Sequence, residues 1–260
     1  GKVEIDGRLL QFADLQSFYS QVHQIFGSDL YSFSSANPCP VILDCGAHIG
    51  LASLFFATRY PKAVIHAYEA DPVIAKMLAF NMKSFELDQV KINAQAVWIH
   101  ENGVLFDDSH DDSGHIDEVG KEGSLKIPSM RLKEFLVNTH VDLLKLDIEG
   151  AEYSVIADCD GVLHNAKNII MEVHKFREND GSIANLLNIL DTNGFDYTFG
   201  DFHAADWIEC SESLPFSTCK TKYYIITVFA WQKSQSEMTH KILEGNLHKT
   251  NAEEGCKSSR

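Results

Sequence analysis

Runs of basic residues are missing from this chain. Its 22 lysines and arginines are outnumbered by 37 acids, for a formal net charge of −15. Nucleic-acid binding draws most of its affinity from cations that neutralise phosphates, so a nucleic-acid partner is not expected. Much of the acidity serves solubility. Also missing is any apolar run long enough to span a bilayer, and no secretory leader is readable after Gly1, so no membrane partner is expected either. None of the six cysteines (Cys39, Cys45, Cys159, Cys210, Cys219 and Cys256) forms a C-x-x-C pair. In a chain of this length they read as reduced, mostly buried thiols of a cytoplasmic protein. No internal repeat divides the chain.

What is present is a core. Hydrophobic residues make up 45% and aromatics 10% of the 260 residues, the proportions of a globular protein. Apolar patterning predicts strands near 41–45, 64–69, 90–94, 142–147, 168–173, 196–199 and 223–230, and helices near 50–59, 72–84, 150–158 and 182–193. Val73, Met77 and Phe80 mark the second of these helices. Ile183, Leu186, Leu187 and Leu190 mark the last, which stops before Gly194. Alternation of this kind predicts a doubly wound, mostly parallel α/β sheet with helices on both faces. One domain over residues 41–232 accommodates it. Residues 1–40 form an N-terminal cap segment, with a helix from Phe12 to Phe26 carrying Leu15, Phe18, Tyr19 and Val22 at helical spacing. Residues 233–260 are polar and are expected to be a disordered tail. Two insertions, 102–128 and 200–222, interrupt the alternation where such folds build substrate pockets.

The segment Val41-Ile-Leu-Asp-Cys-Gly-Ala-His-Ile-Gly50 reads as a buried strand, an acid and a Gly-rich turn into a helix whose face is Leu51, Leu54, Phe55 and Thr58. In doubly wound sheets this unit holds a nucleotide-like ligand. Gly46 is free to take backbone angles closed to other residues, Gly50 lets the helix sit close to the strand, and the helix start offers N–H groups to an anion. The next strand, Ala63-Val-Ile-His-Ala-Tyr-Glu69, ends in an acid 23 residues after Gly46, the spacing at which a carboxylate meets ribose hydroxyls. A dinucleotide and S-adenosylmethionine both fit to this point. The turn lacks the central glycine that lets a pyrophosphate approach, and Asp44 at its mouth repels phosphate while suiting ammonium and sulfonium charge. S-adenosylmethionine is the expected cofactor.

A third segment, Val141-Asp-Leu-Leu-Lys-Leu-Asp-Ile-Glu-Gly-Ala-Glu152, is another buried strand that breaks at Gly150 into a helix. Together with the Gly-rich turn and Glu69-Ala70-Asp71-Pro72, it resembles the FkbM-type family of S-adenosylmethionine-dependent methyltransferases, over about residues 30–200. His48 departs from the Asn more common there. The resemblance implies a class I methyltransferase-like sheet of seven strands, with an antiparallel strand inserted at the edge and supplied by Tyr223 to Ala230. It also implies a cap packed over the cofactor side, and closure over the adenine by Ser113 and Gly114. Acceptors of the family type are sugars and polyketide- or peptide-type natural products, free or attached to a carrier.

The expected cofactor-binding residues are therefore Asp44, Gly46, His48, Gly50, Glu69, Ser113 and Asp147. For a hydroxyl acceptor a proton must leave, and His174 is the first candidate base: Asn168-Ile-Ile-Met-Glu-Val-His174 puts Glu172 and His174 on one strand face at the carboxyl end. Glu172 is expected to orient the imidazole. Asp147 is expected near the transferred methyl, Glu149 to help as acceptor, Lys145 to neutralise them, and Glu152 to be solvated. His203 is the second candidate base, in the 200–222 insertion with Trp207. No metal is expected: the acid run from Asp107 to Glu118 lacks the sixth-position glycine of a calcium loop. The expected function is O-methylation of a small hydroxylated molecule. N-methylation, a catalytically silent cofactor-binding module and a nicotinamide oxidoreductase are the rivals, and the last is disfavoured by the turn.

Overall fold

A computed structural model describes residues 1–107, 115–116, 125–178, 180–208, 214–215 and 218–234. Seven strands build the central sheet: β1 (Val41–Cys45), β2 (Val64–Tyr68), β3 (Val90–Asn93), β4 (Val141–Leu146), β5 (Ala166–Lys175), β6 (Phe195–Ala204) and β7 (Tyr224–Gln232). Their spatial order is β6-β7-β5-β4-β1-β2-β3. The five strands from β5 to β3 pair in parallel, and β7 runs antiparallel to both β5 and β6. The doubly wound, mostly parallel sheet is as expected. The antiparallel strand sits one place in from the edge, however, and β6 forms the edge itself.

Every residue of β4 is buried, as befits a parallel strand covered on both faces. Side chains alternate between two cores: Ile42 and Leu143 face one, and Leu43, Leu144 and Leu146 face the other. From β1 the chain winds outward through β2 and β3, then returns to lay β4 on the other side of β1, with Lys145 opposite Asp44. Ligands of open α/β sheets bind at such a reversal, beyond the carboxyl ends of the strands.

The helices are α1 (Leu15–Val22), α2 (Leu51–Arg59), α3 (Pro72–Ser84), α4 (Leu132–Asn138), α5 (Glu152–Asp158) and α6 (Ile183–Thr192). Asp71 caps α3, its carboxylate accepting the N–H groups of Val73 and Ile74 at 2.6 and 3.1 Å, with Pro72 in the first turn. Two expected faces are corrected. On α3 the buried residues are Ile74, Ala75, Leu78, Asn81 and Met82, while Val73 and Phe80 are exposed. The cause lies at Gly50 (φ +93°), where a Cβ would stand 2.6 Å from both Leu78 Cδ1 and Met82 Cε. Gly50 therefore lets α2 meet α3 closely, rather than its own strand. On α1, Leu15 and Tyr19 are exposed and Ser17 is buried. Phe18 and Val22 do pack on the core, and Phe18 stacks on Phe12 at 4.8 Å between ring centroids.

Short elements missed by periodicity complete the fold. Lys2–Ile5 and Arg8–Gln11 form an antiparallel hairpin across Asp6-Gly7, both with positive φ. Ala96–Trp98 pairs with Ser129–Arg131, and Val104–Asp107 pairs with His115–Ile116 and Leu125–Ile127. Ser113, Gly114 and most of the acid run lie outside the described residues, as does all but the first two residues of the expected tail. Among the described residues no helix is long and apolar enough to cross a membrane.

Candidate active site

The turn after β1 is held by backbone contacts that only glycine permits. At Gly46 (φ +79°) a Cβ would lie 1.7 Å from the carbonyl oxygen of Asp147, so the loops after β1 and β4 touch there. Gly46 and Ala47 donate their N–H groups to the Tyr68 carbonyl at 3.0 and 2.8 Å. His48 (φ +49°) donates its N–H to Glu69 Oε2 at 2.8 Å, and Asp71 donates to Oε1 at 2.8 Å. These turn amides are thus engaged within the protein. Burial pushes the Glu69 carboxyl up to about 7, against the pull of the Asp71 and His48 amides.

Behind the turn lies an ion pair. Asp44 is fully buried; its Oδ2 accepts from Ser53 Oγ at 2.7 Å and its Oδ1 lies 3.3 Å from Lys145 Nζ. The same ammonium donates to the Gly46 carbonyl at 2.8 Å, stands 3.5 Å from Asp147 Oδ2 and faces the Tyr31 ring at 5.6 Å. Burial alone would push Lys145 down, but Asp44, Tyr31 and Asp147 outweigh it and hold the ammonium well above its ordinary range. Asp44 is expected at the mouth of the site. Pairing in parallel register with β4 places it one layer below instead, where it reaches the cleft only through Lys145.

The carboxyl end of β5 brings four acids round one imidazole. His174 is 2% exposed and does not open on the cleft. Its Nδ1 is 3.2 Å from Glu152 Oε1, while its Nε2 is 3.6 Å from Glu172 and 3.7 Å from Glu149. Burial lowers the His174 pKa, yet Glu152 and Glu149 overcome it and hold the ring well above the ordinary histidine range. Burial raises the Glu149 carboxyl well above its usual range; His174 opposes this, and Asp147, Glu152 and Glu172 add to it. Glu149 also carries a positive φ of 54°, a conformation costing a non-glycine residue roughly 1–2 kcal/mol. Such strain concentrates at functional sites.

Two roles are thereby corrected. Glu152 is fully buried rather than solvated: it accepts the Ile148 N–H at 2.9 Å and the Gly150 N–H at 3.1 Å, capping the loop that opens α5. Glu152, not Glu172, holds Nδ1 of His174, because the α5 start packs beneath the strand end while Glu172 turns to the cleft.

The cleft itself has a volume of about 710 Å³. Gly46, His48, Glu69, Asp147, Glu149 and Glu172 line it, as does His203. Asp44, Gly50 and His174 stand behind its wall, and Ser113 lies outside the described residues. α1 adds Gln16, Ser20 and Gln21 to the wall, with Gln24 in the helical turn His23–Gly27 that follows it, and Gln21 Nε2 lies 2.9 Å from the His48 ring nitrogen Nδ1. This polar face was hidden by the competing apolar spacing of Leu15, Phe18 and Tyr19. Tyr31, also in the wall, had no local pattern to announce it. Asp147, Glu149 and His174 each offer one ligand atom within 4.8 Å of the others, a grouping able to hold a metal ion.

Comparison with known proteins identifies the family. A model of the methyltransferase FkbM domain matches residues 44–197. The chain is 27% identical over 212 residues to methyltransferase sdnD of Sordaria araneosa, covering 67% of this chain and 81% of that protein. It is 29% identical over 157 residues to the 2-O-methyltransferase NoeI of Sinorhizobium fredii, covering 52% of this chain and 63% of NoeI. It is 27% identical over 222 residues to the AMB antimetabolite synthetase AmbE of Pseudomonas aeruginosa, covering 66% of this chain but 10% of that synthetase.

Proposed function

The chain belongs to the FkbM methyltransferase family, whose cofactor is S-adenosylmethionine, and on that footing we propose that it methylates a hydroxyl oxygen of a small sugar-, polyketide- or peptide-type molecule. The observation that carries this reading is the convergence of Asp147, Glu149 and Glu172 on the cleft wall, beyond the Gly46 turn. A neutral hydroxyl needs a nearby proton acceptor, and these carboxylates supply one. The name of the 2-O-methyltransferase NoeI supports oxygen as the target. The short stretch matched within the far longer synthetase AmbE supports an acceptor carried by a larger assembly.

The bound cofactor supplies an electrophilic methyl group on a sulfonium. Glu69, clamped by two amides, accepts hydrogen bonds from the ribose hydroxyls. Lys145, anchored by Asp44 and the Gly46 carbonyl, holds Asp147 at the tip of β4. Asp147 and Glu149 orient the acceptor, and Glu172 takes the hydroxyl proton as the oxygen bonds to the methyl carbon. The carbon–sulfur bond breaks with its electron pair on sulfur. His174 works from behind as a positioning residue: it neutralises part of the acid cluster and stiffens Glu149 and Glu172. Trp207 and His203 face the acceptor from the β6 side.

N-methylation is the second reading, favoured by the surplus of acid over base in the cleft, which suits a cationic acceptor. Incubation with methyl-labelled cofactor and paired hydroxyl and amine acceptors separates the two by the atom that gains the label. The free thiols of Cys39, Cys45, Cys159 and Cys219 support a reducing, cytoplasmic setting.

A further inference from the structure

We propose that Asp147, Glu149 and Nε2 of His174 bind one divalent cation at the acceptor end of the cleft. The inference rests on the reading of this cleft as the methyl-transfer site. It replaces the expectation of a metal-free site, which followed from sequence spacing alone.

The donor set fits a small ion. One ligand atom from each of the three residues lies within 4.8 Å of the others. Ligands about 2.0–2.4 Å from a central cation cannot stand farther apart than roughly 4–5 Å, so the ion needs side-chain adjustment only. Two oxygens and one imidazole nitrogen suit Mn²⁺ or a similar first-row ion.

The imidazole is arranged as a ligand. Metal-bound histidines characteristically give their second ring nitrogen to a carboxylate, which fixes the tautomer and aims the lone pair. Here Glu152, itself fully buried and pinned by two backbone amides, takes Nδ1. Nε2 of the 98%-buried ring is left 3.6 and 3.7 Å from its nearest carboxylates, Glu172 and Glu149. Those separations are too long for hydrogen bonds. The buried ring nitrogen is aimed at both carboxylates through long ion pairs, so a cation seated among the three would meet all of them at once. A proton on Nε2 is the competing occupant: it pairs the ring with Glu172 and Glu149 in the metal-free site, and the cation displaces it on binding.

Charge argues the same way. Asp147, Glu149 and Glu172 share the cleft wall, and Lys145 is divided between Asp44, the Gly46 carbonyl and Asp147. A divalent cation offsets acids that would otherwise repel one another across a few ångströms. Because Asp147 and Glu149 face the cleft, the remaining coordination positions open toward the acceptor. There the ion would bind the acceptor oxygen and lower its pKa. The hydroxyl proton then passes to Glu172, the oxygen bonds to the methyl carbon, and sulfur keeps the electron pair.

The test is Mn²⁺ titration of the chelator-stripped chain, followed by loss of the free-ion electron paramagnetic resonance signal. Calorimetry with S-adenosylhomocysteine runs in parallel. One Mn²⁺ per chain is expected, with affinity lowered at least about tenfold in Asp147→Asn, Glu149→Gln and His174→Gln. Glu152→Gln should weaken it about 10–100-fold without touching the ion, as an outer partner does. Should one variant fail to fold, judged by circular dichroism, the others decide. Absence of Mn²⁺ binding at millimolar concentration in a chain that still binds S-adenosylhomocysteine overturns the proposal. So does binding that survives all three ligand substitutions. Loss of S-adenosylhomocysteine binding with Mn²⁺ binding intact would instead strike the methyl-transfer reading and leave the metal site standing.

Discussion

Gly46 and Asp147 meet so closely that a single Cβ on the glycine would stand 1.7 Å from the aspartate carbonyl oxygen. This contact locks the loop after β1 to the loop after β4 at the point where the strand order reverses. The Gly46 turn and the loop that carries Asp147 and Glu149 are therefore packed directly on one another, so a side chain added at Gly46 would displace that loop.

Gly46→Ala tests that coupling. Alanine both clashes with Asp147 and pays about 1–2 kcal/mol for the left-handed backbone. S-adenosylhomocysteine affinity is expected to fall by more than about tenfold, or 1.4 kcal/mol, with a lowered melting temperature. Calorimetry and a thermal melt check it, and unchanged affinity would show that the contact is not required.

Glu69 gives a pH signature. Its carboxyl is held near 7 in the folded chain, above the ordinary value, so it gains a proton as pH falls through 7. In the proposed role the ionised form accepts hydrogen bonds from the ribose, so cofactor affinity should rise from pH 6 to 8 and level off above. The stability contribution runs the other way. With the folded pKa raised, stabilisation is full below the ordinary carboxylate range and is lost as pH rises through about 7. Glu69→Gln should flatten the affinity profile, and Glu69→Ala should cost ~1–3 kcal/mol of cofactor binding. An identical pH slope in Glu69→Gln would place the titrating group elsewhere.

Proton removal is assigned to Glu172 with His174 behind it. Glu172→Gln should slow methyl transfer by about 10²–10⁴-fold with cofactor affinity nearly intact. His174→Ala should also slow transfer, while lowering stability as well, because Glu152 loses its partner. If His203→Ala abolishes transfer and Glu172→Gln does not, the base lies on the β6 side.

Glu152 is predicted to matter for folding more than its helical position suggests. Removing one member of a buried charged pair costs roughly 3–5 kcal/mol, so Glu152→Ala should lose about that much in urea unfolding. A loss below about 1 kcal/mol, the scale of an exposed pair, would mean the carboxylate is solvated after all.

Much of this was legible in the chain. The seven strands and every helix but the short α4 follow from apolar runs bounded by Gly, Pro and Asp, and Asp44, Gly46 and Glu69 declare themselves by spacing from a strand end. Depth was not legible. Asp44 and His174 each sit at a strand tip in sequence, yet Lys145 and Glu152, supplied by neighbouring segments, draw them beneath the surface. Side-chain partners across a parallel sheet depend on register, which one strand cannot reveal. The Asp6-Gly7 hairpin was readable as a turn signal but lacked the long alternation that marks a strand. On α1 the apolar spacing of Leu15, Phe18 and Tyr19 masked the polar face that covers the cleft.

The most direct test of the central claim follows the methyl group. The chain is incubated with methyl-¹³C S-adenosylmethionine and a panel of sugars, hydroxylated polyketides and peptides, together with their amine counterparts, and the labelled atom is located by NMR. The account predicts label on oxygen, with transfer depressed in Glu69→Ala and Glu172→Gln. Label on nitrogen alone, or no transfer to any acceptor by a chain that binds the cofactor, would contradict it.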